Sequence, residues 1–368
     1  MKVLICIGTR PEAIKMAPVC HELKKRNIQF SIMSTGQHRE MLAPIFDFFQ
    51  IQPDHDMEIM QAEQSLNMIS SRILSEADRI LELAMPHIIL VQGDTTSATL
   101  VSLAAFNKKI PVAHVEAGLR TYNKAAPYPE EVNRQIISRI ADLHFAPTQK
   151  ALANLLKENI PENSIRLVGN TIVDSLEWAQ KKMGAKANAY GFFKDLFHSN
   201  KKLVLVTGHR RENFGEGLLQ ICEAIKQLSR REDVEIVYPV HLNPNVKEPV
   251  HEILGNIHNV HLIQPVGYPE MIWLLKRAKL IISDSGGIQE EAPSFKTPIL
   301  VTRSVSERME VVEAGLATLV GTDKSKILME AGKYLDADYN FSDISNPYGD
   351  GNAAVKIVDE LLLFSQEK

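Results

Sequence analysis

The chain has 368 residues, 45% hydrophobic and 23% charged, with a formal net charge of −4 and a pI near 6.3. That length suits two ordinary domains, each able to bury a core without disulfide or metal staples. The mild negative charge suggests neither nucleic acid nor an anionic membrane as main partner, so an anionic substrate would need a local basic site.

Cys6, Cys20 and Cys222 are scattered, with no CxxC and no Cys/His cluster. The pattern supports neither a disulfide framework nor a zinc site, and it fits a reducing compartment. The first apolar run, 3–7, is too short for a signal-peptide core or a membrane span and reads as a buried strand. Further strands are expected over 30–34, 88–91, 112–115 and 143–146, alternating with helices over 13–25, 65–83, 95–107 and 131–140. This βαβ rhythm predicts a parallel sheet with helices on both faces. The domain crossing is placed near 168–170, with a helix over 172–180 and an irregular polar stretch to 202. A second series has strands over 203–207, 235–240, 260–263, 280–283, 298–301 and 317–320, with helices over 217–228, 271–277, 288–295 and 325–334. An amphipathic helix over 352–364 closes the chain. The expected fold is α/β, with two doubly wound, Rossmann-like domains and a cleft between them, ligands sitting beyond the C-terminal ends of the strands.

Gly8-Thr9-Arg10-Pro11-Glu12 follows the first strand and opens a helix. It is neither a GxGxxG fingerprint nor a Walker loop. Its helix N-terminus can hold an anion, helped by Arg10 and Lys15. Asp94 ends the third run. It could serve only as a helix cap, worth roughly 1 kcal/mol, or carry chemistry. Glu116 follows the buried run 112–115, and a carboxylate there is costly unless paired or neutralised, which is where perturbed pKa values and proton transfer arise. Glu130, in Pro129-Glu130-Glu131-Val132-Asn133-Arg134, stands at a helix N-terminus as a third acid/base candidate or a dipole-compensating acid. In the second half, His209 in Thr207-Gly208-His209-Arg210-Arg211-Glu212-Asn213 sits at a strand end beside two arginines, which suits phosphate binding or proton transfer to a departing phosphate. Ser285, Gly286 and Gly287, in Asp284-Ser285-Gly286-Gly287-Ile288-Gln289-Glu290-Glu291, can cradle a diphosphate, with Glu291 positioned for ribose hydroxyls and Arg308 a further cation.

These blocks, with His114-Val115-Glu116-Ala117-Gly118-Leu119-Arg120-Thr121 and Asn346-Pro347-Tyr348-Gly349-Asp350-Gly351, occur in one order along the whole chain. Together they resemble the non-hydrolysing UDP-N-acetylglucosamine 2-epimerases. The resemblance implies a GT-B-like arrangement, in which the first domain (1–169) is completed by the helix 352–368 and the second (170–351) binds UDP. It implies a cytoplasmic homodimer that interconverts UDP-GlcNAc and UDP-ManNAc without a nicotinamide or metal cofactor. The implied route is anti elimination of UDP to 2-acetamidoglucal followed by readdition, because the C2 proton has no adjacent carbonyl to acidify it. The family's acid/base groups fall on Asp94, Glu116 and Glu130, and its catalytic histidine on His209. Its nucleotide contacts fall on Arg10, Lys15, Ser285, Gly286, Gly287, Glu291 and Arg308. Many bacterial relatives bind a second UDP-GlcNAc as activator. Glu40 and Glu63 replace a Gln and an Arg associated with that site, so allosteric activation is not expected here. The alternatives are a sister 2-epimerase of a UDP-2,3-diacetamido uronic acid, which would want an extra cation, and a GT-B glycosyltransferase, which needs an acceptor groove and typically one base. A hydrolysing 2-epimerase would release free ManNAc.

Overall fold

The structure, a computed structural model, describes residues 1–36, 39–60, 64–184, 200–337, 339 and 341–367. The chain divides into two units, Met1–Trp178 with Tyr348–Lys368, and Ala179–Pro347. The first contains β1 (Lys2–Ile7), α1 (Arg10–Lys25), β2 (Gln29–Ser34), α2 (Arg39–Phe49), β3 (His55–Asp56), α3 (Leu66–Ala84), β4 (Ile88–Gln92), α4 (Thr96–Asn107), β5 (Val112–Val115), α5 (Glu130–Ile140), β6 (Leu143–Ala146), α6 (Gln149–Lys157), β7 (Ile165–Leu167) and the start of α7 (Thr171–Gly184). The second contains β8 (Lys202–Thr207), α8 (Glu216–Leu228), β9 (Val234–Pro239), α9 (Pro244–Leu254), β10 (Val260–Ile263), α10 (Tyr268–Arg277), β11 (Leu280–Ser283), α11 (Gly286–Glu291), β12 (Ile299–Val301), α12 (Met309–Glu313), β13 (Ala317–Leu319) and α13 (Lys324–Asp336). The chain then returns to the first unit with α14 (Ala353–Glu367).

Each unit is built on a parallel sheet with alternating helices. Among the described residues the strand orders are β3-β2-β1-β4-β5-β6-β7 and β10-β9-β8-β11-β12-β13. Strands such as β1 and β4 are apolar along nearly their whole length because both faces are covered. In both sheets the winding direction reverses beside the first strand of the unit, between β1 and β4 and between β8 and β11. Such a reversal opens a crevice at the C-terminal strand ends, the usual ligand position in doubly wound sheets.

Several elements lie beyond what the sequence pattern reveals. β3 has two residues and β7 three, too few to show a period. α2 and α9 carry Pro44 and Pro249 inside the helix, residues that read as breaks. The expected helix over 288–295 divides into α11 and a 3-10 turn, Ala292–Phe295. The first unit reaches Trp178, past the crossing expected at 168–170, because α7 carries the chain out of it. Of the irregular stretch expected to 202, residues 185–199 lie outside the described residues.

Asp174 of α7 fastens the returning helix by accepting hydrogen bonds from the Ala353 and Ala354 N–H groups at 3.3 and 2.9 Å, at the orphan donors of the α14 N-terminus. Among the described residues no helix is long and apolar enough to cross a membrane. Glu63 lies outside the described residues, as does the side chain of Glu40.

Candidate active site

In the first unit, the β4–α4 turn carries Asp94. Thr95, not Asp94, caps α4, accepting from the Ala98 N–H at 3.0 Å. The Asp94 carboxylate is therefore not committed to a helix end. Arg134 of α5 holds one of its oxygens, with Nε at 2.9 Å and a terminal nitrogen at 2.7 Å, and the Asn133 amide donates to the Asp94 carbonyl at 2.9 Å. A charge-assisted grip of this kind fixes a carboxylate in orientation as well as in place.

Glu116 stands just past β5 with φ +66°, in the left-handed region. A non-glycine residue there costs of order 1–3 kcal/mol and persists where its surroundings over-determine it, commonly at active sites. Those surroundings are Lys15 Nζ, 2.6 Å from Glu116 Oε2, and the Gln92 side-chain amide, which donates to the same oxygen. All three residues are buried. Lys15 thus projects from α1 onto a carboxylate, while Arg10, on the first turn, makes no ion pair among the described residues.

The adjacent acids of α5 differ completely. Glu131 is fully buried and accepts from the Thr121 and Tyr122 N–H groups at 2.9 and 3.1 Å, from Gln135 at 3.0 Å and from Arg134 at 3.2 Å. Burial alone would push its carboxyl up, but these donors together hold it below the usual range. Its place is structural, tying down the segment after Glu116. Glu130, four residues before Arg134 and so on the same helix face, has a buried Oε2 with no hydrogen-bond partner among the described residues. A buried lone acceptor is costly, which favours a ligand donor there.

Behind these turns lies His114 of β5. Its Nε2 is 2.7 Å from the Gly93 carbonyl, so Nε2 carries the proton and steadies the turn before Asp94. Complete burial, reinforced by His144, Arg120 and Arg134, depresses His114 to about 3, and it is neutral at neutral pH.

In the second unit, β8 and β11 end side by side, Thr207 opposite Ser283, with their hydroxyls 2.7 Å apart. Asp284 is buried at this point and organises the neighbouring turn. It accepts from the His209 N–H at 3.0 Å, the Arg210 N–H at 2.9 Å and the Asn213 amide at 3.2 Å, and its Oδ1 lies 3.4 Å from His209 Nδ1. The His209 ring is about half exposed and stacks on His241, centroids 5.7 Å apart. Burial is the main force lowering its pKa; Arg210 and His241 add to it and the Asp284 charge opposes it. Arg210 makes no ion pair among the described residues and is itself pushed down, by burial and then by Arg303 and Arg308. Cations held close together stabilise an anion between them.

Ser285 is the N-cap residue of α11, yet its hydroxyl makes no capping bond. A Cβ on Gly286 would come within 2.8 Å of the Arg308 guanidinium, so only glycine lets that side chain lie over the helix start. Arg308 is not a surface arginine: its Nε donates to Glu290 at 2.6 Å and it pairs with Glu307. A methyl group on Gly287 would meet only the Ser285 hydroxyl within 4 Å among the described residues, so the α11 N-terminus is open there. Glu291, a turn on, is buried.

The structure thus gathers Arg10, Lys15, Asp94, Glu116 and Glu130 around the β1, β4 and β5 ends of the first unit. It gathers His209, Ser285, Gly286, Gly287, Glu291 and Arg308 around the β8 and β11 ends of the second. Sequence reasoning gave no role to Glu12, Gln92, Asp284 or His114, each of which braces one of those turns. The Thr9-x-x-Glu12 spacing of a capping box was the available signal for Glu12.

Known proteins resemble the chain over nearly its whole length. The family described as UDP-N-acetylglucosamine 2-epimerase matches residues 21–362. A Campylobacter jejuni protein of that name is 49% identical, the alignment covering 98% of this chain and 97% of the relative. One from Salmonella typhimurium is 47% identical, with 98% of each covered. Among solved structures, UDP-GlcNAc 2-epimerase from Neisseria meningitidis bound to UDP-GlcNAc aligns with a TM-score of 0.92 at 45% identity, over 98% of this chain and 100% of that one.

Proposed function

The chain belongs to the UDP-N-acetylglucosamine 2-epimerase family, and from that membership we propose that it interconverts UDP-GlcNAc and UDP-ManNAc by elimination and readdition of UDP. It is an isomerase, and the elimination–readdition route contains no redox step, so it calls for no nicotinamide. In the first half-reaction a carboxylate takes the C2 proton, the C–H electron pair becomes the C1=C2 double bond, and the C1–O bond breaks with its electrons leaving on the diphosphate. In the second, the diphosphate oxygen returns to C1 while an acid delivers a proton to the other face of C2.

The observation that carries this reading is that three carboxylates, Asp94, Glu116 and Glu130, stand at neighbouring turns in different settings. Asp94 is gripped by Arg134, Glu116 by Lys15, and Glu130 has a buried oxygen with no hydrogen-bond partner among the described residues. Positioned carboxylates of this kind are groups suited to general acid–base catalysis. His209, oriented by Asp284 and flanked by Arg210, is suited to stabilise the departing diphosphate or pass it a proton. Arg10, Lys15, Ser285, Gly286, Gly287, Glu291 and Arg308 complete the nucleotide contacts, with Lys15 also holding Glu116. We place the enzyme in the cytoplasm as a homodimer.

The test is incubation with UDP-GlcNAc in deuterated water, followed by NMR. Deuterium at C2 of intact UDP-GlcNAc together with newly formed UDP-ManNAc is expected. Free ManNAc, or epimerisation without C2 exchange, overturns the mechanism.

A further inference from the structure

The buried carboxylate of Glu12 belongs to none of the groups assigned above. It sits at the third position of α1 and is only 2% exposed. One oxygen accepts from the backbone N–H groups of Gly8 and of Thr9, the latter at 3.1 Å. The other accepts from the Thr95 hydroxyl at 2.6 Å. Glu12 therefore joins two turns that are far apart in sequence: the β1–α1 turn bearing Arg10, and the β4–α4 turn bearing Asp94. Thr95 is the residue directly after Asp94, and its hydroxyl also caps α4.

The two turns abut at a second point. A Cβ on Gly8 would approach Ser97 of α4 and the Thr35 hydroxyl to 2.9 Å, closer than real Cβ contacts come. Thr35 and Ser97 are themselves 3.1 Å apart through their hydroxyls. Glycine at position 8 lets the turns touch, and Glu12 fastens them. On its own helix Glu12 completes a capping box by accepting from the Thr9 N–H, and its bond to Thr95 of the other turn goes beyond that local role. Burial raises the Glu12 carboxyl to about 7, despite the hydrogen bonds from Thr95, Gly8 and Thr9, with the Asp94 charge adding to the rise. Placing a carboxyl where it is this costly is hard to account for by helix capping, for which an exposed acid would serve.

We propose that Glu12 is a positioning residue for the epimerisation, setting the catalytic carboxylate of Asp94 against the nucleotide-side turn through its bond to Thr95. This rests on the reading of Asp94 as a catalytic group. Displacements of about 1 Å at a reacting group cost on the order of 10²-fold in rate, so the loss falls on proton transfer. Substrate affinity, carried largely by other groups, changes little.

The experiment compares Glu12→Ala, Glu12→Gln, Thr95→Val, Glu12→Ala/Thr95→Val and Asp94→Asn with the wild-type enzyme. Turnover is expressed per functional UDP site, counted by titration with UDP, so that unfolded protein does not enter the rate. Glu12→Ala is expected to lower kcat about 10²-fold with KM for UDP-GlcNAc within threefold. The isosteric Glu12→Gln, which keeps an acceptor for the turn, is expected to recover most of that loss. The double variant should be slower than the slower single one by far less than the product of the two losses, because the Glu12–Thr95 bond is removed by both substitutions while the α4 cap and the Gly8/Thr9 bonds are each removed by one. A Glu12→Ala enzyme within threefold of wild-type kcat per site, or single losses that multiply in the double variant, overturns the role of Glu12. Wild-type turnover in Asp94→Asn instead overturns the reading of Asp94 beneath it.

Discussion

Lys15 Nζ lies 2.6 Å from Glu116 Oε2, and each side chain is less than a tenth exposed. The pair joins α1 to the end of β5 and holds charge beside a residue whose backbone is already in the left-handed region. Removing one member of a buried ion pair strands the other in a poorly solvating interior, at a cost of about 3–5 kcal/mol. Lys15→Met is accordingly expected to destabilise the first unit by about that amount in denaturant unfolding. Lys15→Met/Glu116→Gln should regain more than half of it while remaining inactive. A double variant no more stable than the single one would show that the pair does not act as a unit.

Asp94→Asn and Glu116→Gln are each expected to lower turnover by about 10²–10⁴-fold, the range for loss of a positioned acid or base. UDP affinity measured by calorimetry should stay within threefold of wild type. Wild-type rates of C2 deuteration in either variant would remove that residue from the chemistry.

Asp284 supplies the charge that opposes the lowering of the His209 pKa. Replacing it by Asn removes an interaction favouring the imidazolium, so His209 should titrate at lower pH still. The His209 ring signals followed by NMR across pH 4 to 8 report this directly, and the acidic limb of kcat/KM should shift the same way if His209 acts in turnover. An unchanged or higher His209 midpoint would mean that Asp284 does not sense the ring.

His114 and His144 face each other on adjacent strands, both buried, and burial first of all depresses them to about 3 and about 4. Their unfolded-state values lie near 6.5. Between those limits the unfolded chain binds more protons than the folded one, so stability is full above pH 6.5 and falls as the pH drops toward the folded values. The slope approaches about 1.4 kcal/mol per pH unit for each residue. His114→Gln keeps a donor for the Gly93 carbonyl but cannot titrate, so the loss of stability from pH 6.5 to 4 should be visibly shallower than in wild type. Equal slopes would exclude His114 from the acid transition.

The βαβ rhythm, the two-unit organisation and the family were determined by the sequence itself. Strand cores such as 88–91 are apolar because both faces are covered, and turn motifs such as Gly8-Thr9-Arg10 and Ser285-Gly286-Gly287 are local. Such information is complete within a few residues of chain. Only the tertiary structure decided what each charged residue does. In the doublet Glu130-Glu131, Glu131 is consumed by five hydrogen bonds from its own and a preceding segment, whereas Glu130 keeps an oxygen with no hydrogen-bond partner among the described residues. In Glu290-Glu291 it is Glu290 that takes Arg308. Asp94 is not a cap, because Thr95 already is. Lys15 meets a carboxylate 101 residues further along the chain, and Glu12 a hydroxyl 83 residues away. A carboxylate's role depends on which donors reach it through space, and in a parallel sheet neighbouring strands are separated by whole helices, so those donors are far away in sequence.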